Sequence, residues 1–210
     1  MAITPIIVRD GNNAAQSMSA LQDPSGYNAT MVSLDTGRAT YRVAANFTPF
    51  KDAAVCLIRI QGSATKTVRI KRIAVGGVST ANAQSILQLL KTSALGGGGG
   101  TAVTPVATPL DSASPAATAV VKHYTTAAEA TGAAIGGPIA MTNLQTCVVT
   151  TPTLMTYPHA VLFPEIGTTI GQAIVLRGAS QFLEVQNVTP TNLSAATVLC
   201  YAVEWEEDNS

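Results

Sequence analysis

Charged and aromatic residues are scarce in this chain. Charged side chains make up 11% of the 210 residues and aromatic ones 5%, while the hydrophobic class reaches 47%. Globular domains ordinarily carry about 25% charged residues. So few aromatic rings argue against a carbohydrate-binding platform. A surface this poor in charge protects a lone monomer only weakly from association, so the composition favours burial in a larger assembly.

Motifs that bind metals or carry catalysis are absent from the sequence. His123 and His159 are the only histidines, and neither has a partner at metal-ligand spacing. The sequence has no His-Glu-x-x-His, Cys-x-x-Cys or Gly-x-Ser-x-Gly motif. It therefore predicts two structural histidines and no enzyme, cofactor or metal. A cluster of acidic residues near the C-terminus could hold a hard cation, but a solvated tail is favoured; its members are Glu204, Glu206, Glu207 and Asp208.

The three cysteines form an odd set without close spacing. Cys56, Cys147 and Cys200 each lie in an apolar run, which predicts buried free thiols that act as small hydrophobic side chains. Free thiols imply synthesis in a reducing compartment. The N-terminus shows no signal-peptide pattern. No run approaches the roughly 20 apolar residues of a membrane span, so no membrane partner is expected.

Period-two alternation is the main positive signal. Residues 55–60 form an apolar run with one arginine, and residues 65–75 alternate between polar and apolar side chains. Residues 182–188 and 197–205 alternate in the same way. This pattern, rich in β-branched residues, is typical of half-buried strands. Arg72 interrupts the apolar face of its segment, so we expect a β-bulge or a sheet edge there.

The middle of the chain gives weaker signals. Residues 83–91 fit a helix as well as a strand, and their β-rich surroundings favour a strand. Residues 93–110 include the five glycines at 96–100 and predict a surface loop at one end of the domain. No Gly-Lys-Ser/Thr follows the glycines, so phosphate binding is not expected. A short helix is predicted over 115–122, because Ser114 is a good N-cap and a proline follows it.

Many short strands separated by proline and glycine predict an all-β fold. Eight or so strands favour a jelly-roll-like antiparallel β-sandwich, which we place over residues 51–210. Residues 1–50 have too few apolar side chains for a core of their own, and they predict an N-terminal arm of short extended segments. Such an arm either orders on a neighbour or packs on its own domain as edge strands.

Charge is unevenly distributed although its sum is zero. Residues 1–105 carry ten basic and four acidic side chains, whereas residues 106–210 carry two basic and eight acidic ones. This asymmetry favours either head-to-tail association of subunits or opposite strands that neutralise each other within one domain. The only basic cluster consists of Lys66, Arg69, Lys71 and Arg72. No aromatic residue is interleaved with it, so it predicts an outward face that contacts another protein or water rather than a nucleic-acid site.

Three segments carry a family resemblance. They are residues 62–73 (Gly-Ser-Ala-Thr-Lys-Thr-Val-Arg-Ile-Lys-Arg-Ile), 108–121 (Thr-Pro-Leu-Asp-Ser-Ala-Ser-Pro-Ala-Ala-Thr-Ala-Val-Val) and 171–178 (Gly-Gln-Ala-Ile-Val-Leu-Arg-Gly). Val-Arg-Asp-Gly-Asn-Asn at 8–13 and Asp-Pro-Ser-Gly at 23–26 look like segments at the start of phage structural proteins. Over about residues 5–37 and 52–206 the chain resembles small β-sandwich virion proteins encoded by tailed bacteriophages.

The resemblance implies a structural role in a virion. It favours a head decoration, or cement, protein that is synthesised in the host cytoplasm and bound to the outer head surface. The implied partners are the major capsid protein and two further copies of the chain in a homotrimer, with the residue 1–50 arm gripping capsid subunits or a neighbouring protomer. A neck, tail or fibre component is the alternative in the same class. A carbohydrate-binding module belongs to a different class, and a depolymerase has the least support.

Overall fold

The computed structural model describes residues 38–50, 55–79, 83–146, 173–188 and 197–209, together with the backbone of five short strands outside these ranges. The strands are β1 (Ile7–Arg9), β2 (Ala15–Ser17), β3 (Leu21–Gln22), β4 (Asn28–Ala29), β5 (Ala39–Phe47), β6 (Val55–Gln61), β7 (Lys66–Val78), β8 (Ala83–Thr92), β9 (Thr101–Val103), β10 (Thr108–Pro109), β11 (Val120–Thr125), β12 (Ala140–Thr146), β13 (Val161–Phe163), β14 (Ile174–Arg177), β15 (Phe182–Asn187) and β16 (Val198–Asn209). No helix in the described ranges is long and apolar enough to cross a membrane.

Two six-stranded antiparallel sheets pack face to face. The first has the order β10-β5-β16-β7, with β13 and β14 both paired to the far side of β7; the second has the order β12-β8-β15-β6-β11-β9. In chain order β5, β6, β7 and β8 alternate between the two sheets, β12 joins β8 in the second sheet, β13 and β14 both lie in the first, and β15 and β16 again lie in opposite sheets. The predicted all-β sandwich is confirmed, and the ambiguous segment 83–91 forms strand β8.

The N-terminal region is a separate compact unit over Met1–Arg38, and the sandwich spans Ala39–Asp208. In the N-terminal unit β1 pairs with β2, and β3 pairs with β4. The predicted arm boundary at residue 50 is too late, because β5 pairs with β16 along nine residues of the sandwich.

Strands β6 and β7 follow each other in the chain but lie in opposite sheets. The short turn at residues 62–65 therefore crosses the sandwich edge instead of closing a hairpin. Along β7, Val68 and Ile70 are buried, and then Ile73 and Val75 are buried. Even-numbered residues therefore face the core before the exposed Arg72, and odd-numbered residues face it afterwards. This shift agrees with the irregularity that the sequence predicted there.

Strands β9, β10 and β11 are an insertion between β8 and β12. The insertion leaves the sheet along residues 93–100 and returns along residues 126–139, and these two segments run side by side: Ser93 N–H donates to Ala133 O at 2.9 Å, and Gly99 N–H donates to Ala128 O at 3.2 Å. A Cβ at Gly96 would meet the backbone of the returning segment, with its nearest contact at 2.0 Å. The glycine run therefore permits close backbone packing, and the predicted loop contains two short strands.

The predicted helix over 115–122 is wrong. Residues 120–125 form β11, and Val121 is paired with Ile60 of β6. The preceding residues 115–119 are neither helix nor strand, and the N–H groups of Thr118 and Ala119 donate to the carboxylate of Glu207 instead of to helical carbonyls. A distant side chain thus replaces the hydrogen bonds that a helix would have supplied.

The core lies between the inner faces of the two sheets. Trp205 and Tyr41 are opposite each other on β16 and β5, with ring centroids 5.7 Å apart, and both are fully buried. Aliphatic side chains fill the rest, chiefly Leu57, Ile58, Ile60, Ile70, Ile73, Leu87, Leu89, Leu144 and Leu176. The outer faces are left for polar and small side chains, and the first sheet's outer face contains three of the four predicted contact residues, Arg69, Lys71 and Arg72.

Candidate protein-contact face

The predicted basic residues lie on β7, and three of the four are paired with acidic residues of β16. Lys71 Nζ is 2.9 Å from Glu206 Oε1, and Arg69 Nη2 is 3.1 Å from Asp208 Oδ2. Lys66 Nζ is 3.5 Å from the buried carboxylate of Glu207. These pairs neutralise three of the four basic side chains within the sandwich, and the contact of this face with another protein stays a prediction.

The acidic residues near the C-terminus are part of β16, so the predicted solvated tail is wrong. Alternation along this strand places Glu207 on the inner face and Glu204, Glu206 and Asp208 on the outer face. Sequence reading stopped the strand at Trp205 because charged residues follow it, but partners on β5 and β7 extend it to Asn209.

Arg72, the fourth predicted residue, lies at a small open cleft on the outer face. Ala74 and Ala202 form the floor of this cleft, and Arg42, Arg72 and Glu204 line it. Arg42 on β5 is directly opposite Glu204 on β16. Sequence reasoning missed Arg42, although its position between Tyr41 and Val43 in an alternating strand would have placed it on the outer face.

Glu207 anchors the insertion to the end of β16. Its carboxylate accepts hydrogen bonds from Thr118 N–H (2.9 Å), Thr118 Oγ1 (2.7 Å), Ala119 N–H (2.8 Å) and Trp205 Nε1 (3.1 Å). Burial alone would raise the pKa of Glu207, but these hydrogen bonds outweigh it and hold the pKa below its ordinary value. The group is therefore a charged structural anchor at neutral pH.

A second cluster of charged groups is buried on the outer face of the second sheet. Arg59 donates from Nε to Glu184 Oε1 at 2.8 Å and from Nη1 to Glu129 Oε1 at 2.8 Å. It also donates to Tyr124 Oη at 2.7 Å and to Ala130 O at 3.1 Å. Arg59 and Glu184 are buried because the two backbone segments of the insertion cover this face. The sequence showed the arginine in its apolar run but not the acids that meet it.

The cysteines divide between the core and the surface. Cys56 is buried beside this network, and burial raises the pKa of its thiol well above the usual range, so it stays protonated at neutral pH. Burial also raises the pKa of Tyr124 to about 12. Cys200 is exposed, contrary to prediction, because its neighbours Leu199 and Tyr201 point inward. Cys147 lies outside the described residues.

His123 is a core histidine, as predicted. Its ring stacks on Phe47 with centroids 4.6 Å apart, and its Nδ1 is 3.0 Å from Tyr201 Oη. Burial lowers the pKa of His123, so the ring is neutral at pH 7. The other histidine, His159, lies outside the described residues.

The uneven charge along the sequence is neutralised largely within the sandwich. Each ion pair among the described residues joins a base from before Pro105 to an acid from after it: Arg59 with Glu129 and Glu184, Lys66 with Glu207, Arg69 with Asp208, and Lys71 with Glu206. Of the two interpretations of the asymmetry, neutralisation within one domain is therefore the one that these contacts support.

In the described part of the chain, no three His, Cys, Asp or Glu side chains are grouped so that they could hold a metal ion. Comparison with known proteins gives no match to a family model, to a curated protein or to a solved structure. The contacts described above therefore carry the functional argument, together with the resemblance of the quoted segments.

Proposed function

We propose that the protein is a structural component of a tailed-phage virion, namely a head decoration protein that binds the assembled shell and stabilises it. The observation that carries this proposal is the outer face of strands β5, β16 and β7. Four of its charged side chains are held in place by the pairs Lys71–Glu206 and Arg69–Asp208. Such a surface offers fixed charges to a protein partner without ordering long side chains on contact.

A sandwich with so little charge suits a protein that works in an assembly. Decoration by many copies stabilises a shell by mass action, because each copy binds the assembled form and not the dissociated subunits. In this proposal the chain forms a homotrimer on the outer head surface, and the N-terminal unit contacts capsid subunits or a neighbouring protomer. The major capsid protein is the partner.

The copy number on purified particles tests the proposal. We expect hundreds of copies per virion, counted by quantitative mass spectrometry against the major capsid protein, and extra density over the whole head in micrographs. Six or twelve copies confined to the head–tail junction would instead identify a neck or tail component. Light scattering of the purified chain checks the trimer, and a monomeric mass would contradict that part of the proposal.

A further inference from the structure

We propose that Arg42 and Arg72 together bind a carboxylate group of the partner protein, on the small cleft beside Glu204. Assigning this partner to the phage shell rests on the proposed function. The carboxylate chemistry rests on the cleft alone. The residues proposed to contact the partner are therefore not the ion-paired Arg69 and Lys71. They are two arginines that the fold brings together from β5 and β7.

The two arginines are the free bases of this face. Both side chains are exposed, and neither makes a hydrogen bond or ion pair with any residue in the described ranges. Arg42 is directly opposite Glu204 in the β5–β16 register, and Arg72 lines the same cleft from the other side. Glu204 likewise has no ion pair within the described part of the chain, so both guanidinium groups remain available to a partner.

The composition of the cleft decides what it accepts. Two guanidinium groups and one carboxylate leave one positive charge in excess. The alanine floor, Ala74 and Ala202, allows a partner side chain to approach closely. Guanidinium groups bind carboxylates with paired parallel hydrogen bonds. Glu204 between the arginines repels a doubly charged phosphate more than a singly charged carboxylate, so an Asp or Glu side chain fits better than a phosphorylated side chain or inorganic phosphate.

Binding to heads tests the partner. Heads that lack this protein are mixed with the full chain, and bound copies are measured against free concentration. We expect the R42Q/R72Q variant to bind about tenfold more weakly than wild type or worse. We expect R42K/R72K, which keeps the charge but loses the paired geometry, to fall between them. R177Q/K122Q removes two positive charges elsewhere and should bind as wild type does.

A second measurement tests the chemistry without heads. A peptide of alternating Glu and Gly is titrated into the isotopically labelled full chain, and the Nε–H signals of the arginines are followed by NMR. We expect the signals of Arg42 and Arg72 to shift, R42Q/R72Q to abolish binding, and inorganic phosphate to bind more weakly than the peptide.

The outcomes separate the two proposals. If wild type binds heads and R42Q/R72Q binds equally well, or if the peptide leaves both arginine signals unmoved, the carboxylate site is wrong while decoration stands. If wild type binds the peptide but not heads, the decoration role is wrong and the carboxylate site stands. Stronger binding of phosphate than of the peptide would overturn the choice of a carboxylate.

Discussion

Replacing Arg59 by methionine tests the buried network on the second sheet. Methionine approximates the length of the side chain but removes its charge and all its donors. The change leaves Glu184 and Glu129 facing each other at a site where Glu184 is fully buried and Glu129 nearly so. Two carboxylates without their shared cation are then forced into a poorly hydrated space, so the folded state loses stability.

The loss of stability in R59M depends on the hydrogen bonds that the two carboxylates keep. Removing one partner of a buried pair ordinarily costs about 3–5 kcal/mol. Glu184 keeps hydrogen bonds from Thr92 Oγ1 (3.3 Å), Gly132 N–H (3.2 Å) and Gln186 Nε2 (2.9 Å), which still stabilise its charge. We therefore expect R59M to lower the free energy of unfolding by about 3–4 kcal/mol, in the lower part of that range.

Urea unfolding followed by tryptophan fluorescence measures this loss, since Trp205 is fully buried in the folded state. The control is R69M, which breaks the partly exposed pair with Asp208 and should cost at most about 1 kcal/mol. E129Q keeps one acceptor for Arg59 and should cost about 1–3 kcal/mol, so it gives a folded variant even if R59M does not fold. Equal, small losses in R59M and R69M would refute a buried network.

Three further predictions concern single contacts. The pKa of His123 is lower in the folded than in the unfolded protein, so stability should fall as pH drops below about 6.5, and H123F should remove that pH dependence in urea midpoints. E207Q should lower the free energy of unfolding by about 2–4 kcal/mol, whereas E206Q at the surface should lower it by less than about 1 kcal/mol. Because the pKa of Glu207 is lowered in the folded protein, the difference in stability between E207Q and the wild type should vanish as the pH falls through that pKa. G62A should lower the thermal midpoint, because its Cβ would lie 2.6 Å from a backbone carbonyl oxygen. The control G97A should leave the midpoint nearly unchanged, because a Cβ at Gly97 meets nothing within 4 Å.

The alternation of side chains was enough to predict the strands but not their partners. Period two identifies a half-buried strand wherever one face meets a core, and it placed β7, β15 and β16 correctly within a few residues. Nothing in the alternation of β6 and β7 says that they lie in opposite sheets. That arrangement depends on β15 and β16, which pair with them from the far end of the chain.

Two of the errors share one physical cause, since each concerns residues whose environment comes from a distant segment. A local reading gave the 115–122 segment a helix because its N-cap and proline favour one. Glu207, 89 residues beyond Thr118, accepts hydrogen bonds from this segment in place of helical carbonyls. The C-terminal acids likewise read as a solvated tail until β7 and its bases are placed beside them. The periodicity of a sequence does not show which distant segments will pack beside a strand.

The position of β16 between β5 and β7 explains why the contact face keeps a surplus of positive charge. Its outward row contributes Glu204, Glu206 and Asp208, and the outward rows of its two neighbours contribute Arg42, Arg69, Lys71 and Arg72. Three acids therefore face four bases. The pairs Lys71–Glu206 and Arg69–Asp208 neutralise two of the acids and two of the bases. The remaining positive charge lies where Glu204 has an arginine on each side. Because strand order and register create that excess, a partner that carries a carboxylate can neutralise it without disturbing any pair that the sandwich already makes.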